Sequence, residues 1–255
     1  MERLYNIIKL PLRFKRFCCN GEKLLHSNCN NSISKINPKK IVSWNIQGLF
    51  FYITPVKINN IIQKIKEINA DVVCLQEVFE DSIKLKIIQS LKEIYPYYLI
   101  GCMDKKYIIA EDSGLLVISK YNINFKKEII LEDCIFPDNF AKKKIIYFSI
   151  GEYNFSNTHV QSGSYEIAEK QIKQILNNSP FQKFILVGDL NHYKADKILN
   201  LENNNQKNTW ENVILDYILP IQYNNLIHDI DVINMDLTNV TDHLPIIAKI
   251  KSKEK

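Results

Sequence analysis

No apolar run in this 255-residue chain approaches the roughly 18 residues that a membrane-spanning helix needs. The six cysteines form no C-x-x-C pair and no histidine stands at zinc-finger spacing, which excludes a disulfide framework and a structural zinc site. The expected compartment is therefore reducing and intracellular. Residues 1–38 hold no apolar stretch of about 7–15 residues with a small-residue cleavage site, so a secretory signal is not expected. Glycine is scarce, at seven residues, a bias that says little about chemistry. No internal repeat and no second linker occur. Arginine is absent after Arg16: all three, Arg3, Arg13 and Arg16, precede it.

The charge is accordingly uneven. Residues 1–40 hold six Lys, three Arg and two Glu, a net of +7, which leaves −2 for residues 41–255 of the total of +5. Basic residues alternate with Leu, Ile and Phe in LYNIIKLPLRFKRFCCN, ahead of the adjacent Cys18 and Cys19. Two readings stand: a membrane-surface anchor through residues 1–20, acylated at Cys18 or Cys19, or an extension that packs on the body or stays mobile. Pro38 ends this leader, and the domain division is 1–38 and 39–255.

The body holds enough apolar residues, 46% of the chain with 11% aromatics, to bury a core and to exclude a disordered chain. Strand-like and helix-like blocks alternate. Buried strands are predicted at 40–45 and 71–76, with Cys74 as a small core residue. Isoleucines at helical spacing predict helices at 56–69 and 81–94, and a third is predicted at 165–178. Further strands are predicted near 96–101, 114–119, 123–131, 143–158 (two, meeting at Gly151), 183–188, 213–219, 229–233 and 245–251, with a loop at 202–208. Many strands with helices between only some of them predict a mixed α/β layered fold.

Polar residues stand at the ends of these apolar strands, where a rigid sheet can aim them into a cleft. Asn45 closes KIVSWN, Glu77 closes DVVCLQE and His159 follows NFSNT. Asp189 and Asn191 follow FILVGDLN, Asp216 sits within VILDYIL, and Asp242 and His243 open TDHLPIIAKI. A lone example of each is most often a turn residue or a satisfied surface group. Together they supply what metal-assisted phosphodiester cleavage requires. Glu77 and the Asn45 carbonyl are hard oxygen donors suited to Mg²⁺. A histidine with a carboxylate partner can hold one tautomer and take a proton from water or bind phosphate. Asp189 and Asn191, two apart, can project to one side of an extended segment.

At these residues the sequence resembles the endonuclease/exonuclease/phosphatase superfamily, the DNase I-like fold. The motifs are SWNIQG at 43–48, LQE at 75–77, NTHVQ at 157–161, GDLN at 188–191, LDYIL at 215–219 and TDHLP at 241–245, in the superfamily's order across residues 40 to 251. The resemblance implies a four-layer αββα sandwich with the site at one rim. It makes Glu77 the main Mg²⁺ carboxylate beside Asn45, with Mn²⁺ or Co²⁺ as substitutes. It makes His243 the histidine acting on the attacking water, oriented by Asp216, with Asp242 either near the metal or assisting His243. Asp189 and Asn191 would manage water and transition state, and His159 would bind phosphate.

Within the superfamily, EDSGLLVISKYNI at 111–123, NTHVQSG and NTW at 208–210 are similar to the neutral sphingomyelinase branch, with Asp112 as an additional site carboxylate. The inositol-phosphatase branch is disfavoured because LDYIL replaces its C-D-R motif. Secreted bacterial sphingomyelinases carry a long apolar hairpin between the last two motifs, and only 25 residues separate Asp216 from Asp242 here. A phospholipid substrate is expected, with membrane contact through the basic leader. The alternatives are a nuclease or DNA-repair phosphodiesterase, for which Lys105–Lys106, Lys126–Lys127 and Lys142–Lys144 would have to form a basic face, and a catalytically dead binding module. Lysine runs of this kind are expected to be solvated. Trp44 is expected to be a core aromatic.

Overall fold

The structure, a computed structural model, describes residues 36–49, 52–101, 112–201 and 207–251. The leader to residue 35, with Cys18 and Cys19, and Lys105–Lys106 lie outside the described residues.

Two mixed sheets pack face to face. Strands β1 (Lys40–Asn45), β2 (Val72–Gln76), β3 (Tyr97–Ile100) and β4 (Leu116–Ser119) join β10 (Ile227–Val232) and β11 (Ile246–Ile250) in the order β10-β11-β1-β2-β4-β3. The second sheet runs β5 (Asn124–Ile130), β6 (Lys144–Ile150), β7 (Tyr153–His159), β8 (Phe184–Asp189), β9 (Asp216–Ile221) in sequence order. Only the β1–β2 and β7–β8 pairs are parallel, and each is reached through a helical crossover. These crossovers are α1 (Pro55–Ile68) and α3 (Tyr165–Asn177); α2 (Asp81–Leu91) and the short α4 (Ala195–Ile198) are the other α-helices among the described residues.

The layers follow from side-chain alternation. Ile41, Val72, Cys74, Phe148, Phe155, Ile185 and Ile218 point between the sheets into the central core. The next residues along the same strands face outward: Val42, Trp44, Val73 and Leu75 meet Ile58, Ile61, Ile62 and Ile65 of α1 and Ile83 and Ile87 of α2. On the other side Ile145, Tyr147, Leu186 and Leu219 meet Ala168, Ile172 and Ile175 of α3. The sequence's isoleucine spacing thus becomes two outer helical layers on a two-sheet core, an αββα sandwich.

Local signals set the helix limits. The Thr54 side chain accepts from Lys57 N at 3.1 Å and Pro55 opens α1, while Asn69 in the left-handed region closes it. Ser164 caps α3 by accepting from Ile167 N. Helix α2 stops at Leu91 rather than at the expected 94, since the Ile94 and Tyr95 amides turn back to the Leu91 carbonyl. Strand β9 begins at Asp216 and not at 213. Val213 pairs with Trp210 in a tight bridge, and the Leu215 and Asp216 amides both donate to Thr209 Oγ1. That loop delays the strand and seats Asp216 at its first residue.

One further expectation needs correcting. Lys143 and Lys144 are buried, not solvated, at 2% and 3% exposure. Lys143 and the first residue of β6, Lys144, belong to a segment buried almost throughout, and their ammonium groups meet Asp138 and Glu128. Among the described residues no helix is long and apolar enough to cross a membrane.

Candidate active site

Register assembles the site. His159, Asp189 and Asp216 are direct partners across β7, β8 and β9, so three polar groups stand in a row at one sheet end. Asn45 pairs with Gln76 at the matching end of the other sheet, and Glu77 follows. Glu77, Gln47 and Asn191 all have positive φ, at 57°, 47° and 46°, so the chain turns sharply as each strand ends. Gly188 is required just before Asp189: at φ 147° any β-carbon would collide with the Thr158 carbonyl. That close approach of β7 and β8 sets His159 beside Asp189.

Asn45 bridges the two sheets. Its amide nitrogen donates to Glu77 Oε1 at 2.9 Å and to Asp189 Oδ2 at 3.0 Å, and its oxygen accepts from Gln47 N at 3.0 Å. The amide nitrogen, not the carbonyl oxygen expected to bind Mg²⁺, therefore faces the carboxylates, as two flanking acceptors demand. Beneath it a buried polar network ties the strands together: Gln76 Nε2 donates to Asn157 Oδ1 at 2.8 Å, and Asn157 Nδ2 to the Leu75 carbonyl at 3.1 Å.

His243 approaches from the loop before β11. Its Nδ1 lies 2.8 Å from Asp216 Oδ2, and its Nε2 lies 3.9 Å from Asp189 Oδ2. Trp44 is fully buried, as a core aromatic should be, and its indole N–H donates to the His243 carbonyl at 3.0 Å. Thr241 Oγ1 donates to the Asn45 carbonyl and Leu244 N to the Thr209 carbonyl, which stitches the His243 loop to both sheets. Asp242 turns away from the histidine ring and accepts from Gln47 Nε2 at 2.8 Å, while Lys57 Nζ donates to Gln47 Oε1.

His159 Nε2 lies 3.7 Å from Asp189 Oδ2, 3.9 Å from Glu77 Oε1 and 3.0 Å from Lys143 Nζ. An ammonium can only donate, so this contact makes Nε2 the acceptor and places the ring proton on Nδ1. Asp112 stands apart: it forms a buried ion pair with Lys84 and accepts from Gly114 N. The Gly114 carbonyl in turn holds Val78 N, so Asp112 supports the segment carrying Glu77 and does not join the histidines.

A cleft of about 450 Å³ opens over this group, lined by Glu77, His159, Asp189, Asn191 and His243 together with Asp138, Tyr165 and Trp210. Burial pushes the Glu77 carboxyl above its ordinary range, against the Asn45 hydrogen bond. Burial and the Asp216 charge push Asp189 up to about 7. Burial opposes a charge on His243, but the Asp216 carboxylate outweighs it and lifts the imidazole to about 10. Burial and the Lys143 charge hold His159 well below the usual histidine range, so it is neutral.

The donor set fits a divalent cation. Glu77 Oε2 is buried with no hydrogen-bond partner, beside an Oε1 already held by Asn45, and a bare carboxylate oxygen facing a cleft is a hard-cation ligand. Asp189, Asp216 and His243 also bring one donor atom each within 4.8 Å of one another.

A family profile described as "Endonuclease/Exonuclease/phosphatase family" matches residues 42–220. The chain belongs to this family. It is 28% identical over 167 residues to sphingomyelinase C of Bacillus cereus, covering 54% of this chain and 49% of that protein. It is 30% identical over 103 residues to a phospholipase C of Staphylococcus aureus, covering 36% and 31%. The chain thus spans about half the length, or less, of these curated relatives. The fold is similar to that of a beta toxin variant of Staphylococcus aureus crystallised with bound magnesium ions, at a TM-score of 0.66, 22% identity, and coverage of 84% of this chain and 100% of that one. Members of the endonuclease/exonuclease/phosphatase family are hydrolases of phosphodiester bonds. The family match ends at residue 220, so His243 is placed in the site by the fold and not by that match.

Three groups in or beside the cleft are not marked by the sequence. Lys143, against His159, lies in a lysine run with no pattern that signals its burial. Asp138 opens a single 3₁₀ turn, Asp138–Phe140, whose sequence carries no signal. Trp210 meets His243 through an isolated bridge, their rings 6.3 Å apart.

Proposed function

We propose that this member of the family is a Mg²⁺-dependent phosphodiesterase acting on phospholipids of the sphingomyelin type. One observation carries the reading: the His243–Asp216 pair and the unpartnered Glu77 oxygen face each other across Asp189 in one cleft. Glu77, with Asp189 alongside, would hold Mg²⁺, which supplies positive charge against the phosphoryl oxygens.

The chain's own groups then divide the work. Asn45 fixes Glu77 and Asp189 relative to each other. Asp216 stabilises the charged His243 ring through Nδ1 and turns its Nε2–H toward the cleft. Asp189, with a pKa near neutrality, is suited to exchanging a proton with water. Its other oxygen is fixed by Asn191 N at 3.0 Å, and the Asn191 side chain is anchored on the Val160 carbonyl. Neutral His159 and the Lys143 ammonium face the place where a phosphoryl oxygen gains charge, and Lys143 neutralises that charge. A water attacks phosphorus, the leaving alkoxide takes a proton, and a phosphomonoester and an alcohol result.

The names of the curated relatives support a phospholipid over a nucleic acid, as do the SGLLVISK segment and the −2 balance of residues 41–255. The test is a substrate panel for the purified full chain with Mg²⁺: sphingomyelin, phosphatidylcholine and abasic single-stranded DNA. Release of phosphocholine from sphingomyelin, lost in His243→Ala, is expected. Cleavage of DNA with no lipid turnover would overturn the proposal.

A further inference from the structure

Several of the large hydrophobic side chains most exposed on the described surface gather on one side of the cleft mouth. Phe136 is 74% exposed, and Phe140 and Ile135 stand with it on the segment before β6. Phe136 and Phe140 meet edge to face with centroids 5.9 Å apart. Tyr165, at the start of α3, and Tyr193, after β8, are also about half exposed, and their rings lie 5.1 Å apart.

The two groups form one ridge because the backbone between them is tied. Ile135 N donates to Gln161 Oε1 at 3.0 Å and Ser162 N to Asp138 Oδ2 at 2.6 Å, and residues 161–163 lead directly into α3. The ridge is continuous with the cleft, whose lining includes Asp138, Ser162 and Tyr165. A group of exposed apolar side chains beside a cleft marks a surface that is covered in use.

We infer that this ridge docks the molecule on the interfacial zone of a zwitterionic phospholipid bilayer, a reading that rests on the phospholipid function proposed above. Phenylalanines and tyrosines suit the headgroup region, where an apolar body meets a polar boundary. The charges along the ridge cancel: Asp138 pairs with Lys143, Glu166 with Lys170 and Glu169 with Lys173, and Glu132 and Asp133 stand with Lys142 and Lys194. A neutral face of mixed sign complements a headgroup carrying both charges and not an anionic surface. Phe136 and Phe140 insert beside the cleft, and a lipid head passes from the bilayer into it over Tyr165. The docking so assigned is independent of the basic leader.

The test is co-sedimentation of the full chain with phosphatidylcholine–sphingomyelin vesicles in EDTA, which blocks turnover, at low salt and in 0.5 M NaCl. Phe136→Ala with Phe140→Ala should lower partitioning by about tenfold or more. Binding of the unmodified chain should persist in high salt. Turnover of a soluble diester, bis(p-nitrophenyl) phosphate, should stay within about twofold, which also shows that the variant folds. Unchanged partitioning of the double variant, binding abolished by salt, or no vesicle binding by the unmodified chain would each overturn the inference. Vesicle binding through the ridge without sphingomyelin hydrolysis in Mg²⁺ would instead overturn the functional reading alone.

Discussion

Replacing Asp216 by Asn probes the His243 pair with almost no change of shape. The carboxylate lies 2.8 Å from His243 Nδ1 and both groups are buried. Charge centres about 4 Å apart at an effective dielectric near 20 interact by ~4 kcal/mol, or about three pKa units. His243 should therefore fall from about 10 to about 7, where burial lowers it and the remaining Asp189 and Asp242 charges raise it. Histidine-labelled protein followed by NMR in EDTA reads this directly. Stability follows with a definite sign. A histidine whose folded pKa exceeds its unfolded value of about 6.5 stabilises the fold fully below pH 6.5 and ceases to do so as pH rises through 10. The loss in Asp216→Asn, of the order of 3 kcal/mol at neutral pH, should thus shrink above pH 10. Turnover should fall by about 10²–10⁴-fold, since the proton on His243 and the ring's orientation are no longer held by Asp216. A His243 pKa near 10 in the Asn variant would refute the assignment of its charge to Asp216.

Three other outcomes are expected. Glu77→Gln should weaken Mg²⁺ binding at least tenfold by calorimetry; because burial raises the Glu77 pKa, it should also stabilise the metal-free protein, more at pH 7 than at pH 4. Lys143→Met should raise the His159 pKa, read by NMR, and lower turnover about a hundredfold. Gly48→Ala places a β-carbon against the Glu77 carbonyl; thermal unfolding should show a loss of about 1–3 kcal/mol together with weaker Mg²⁺ binding.

The parts of the fold legible in the sequence are those where burial repeats with a fixed period. Ile58, Ile61, Ile62 and Ile65 announced α1, and the runs ending at Asn45, Gln76 and Asp189 announced strands whose last residues carry function. The pairing of those strands was not legible locally. That His159, Asp189 and Asp216 stand side by side depends on register across three strands, and the motif order of the family supplied what periodicity does not. The start of β9 was misplaced because Thr209 captures two amides from a loop, a contact with no local pattern. The burial of Lys143 is not legible because a lysine run reads as solvated until its partners are known, and Asn45 is legible as a site residue but not the direction of its amide, which depends on both its neighbours.

Hydrolysis of sphingomyelin vesicles in ¹⁸O-labelled water, followed by ³¹P NMR, tests the central claim most directly. The account predicts a phosphocholine resonance carrying the isotope shift of one ¹⁸O, appearing with Mg²⁺ and absent in EDTA or in His243→Ala. An unlabelled monoester, turnover undiminished in EDTA, or no monoester at all would contradict it.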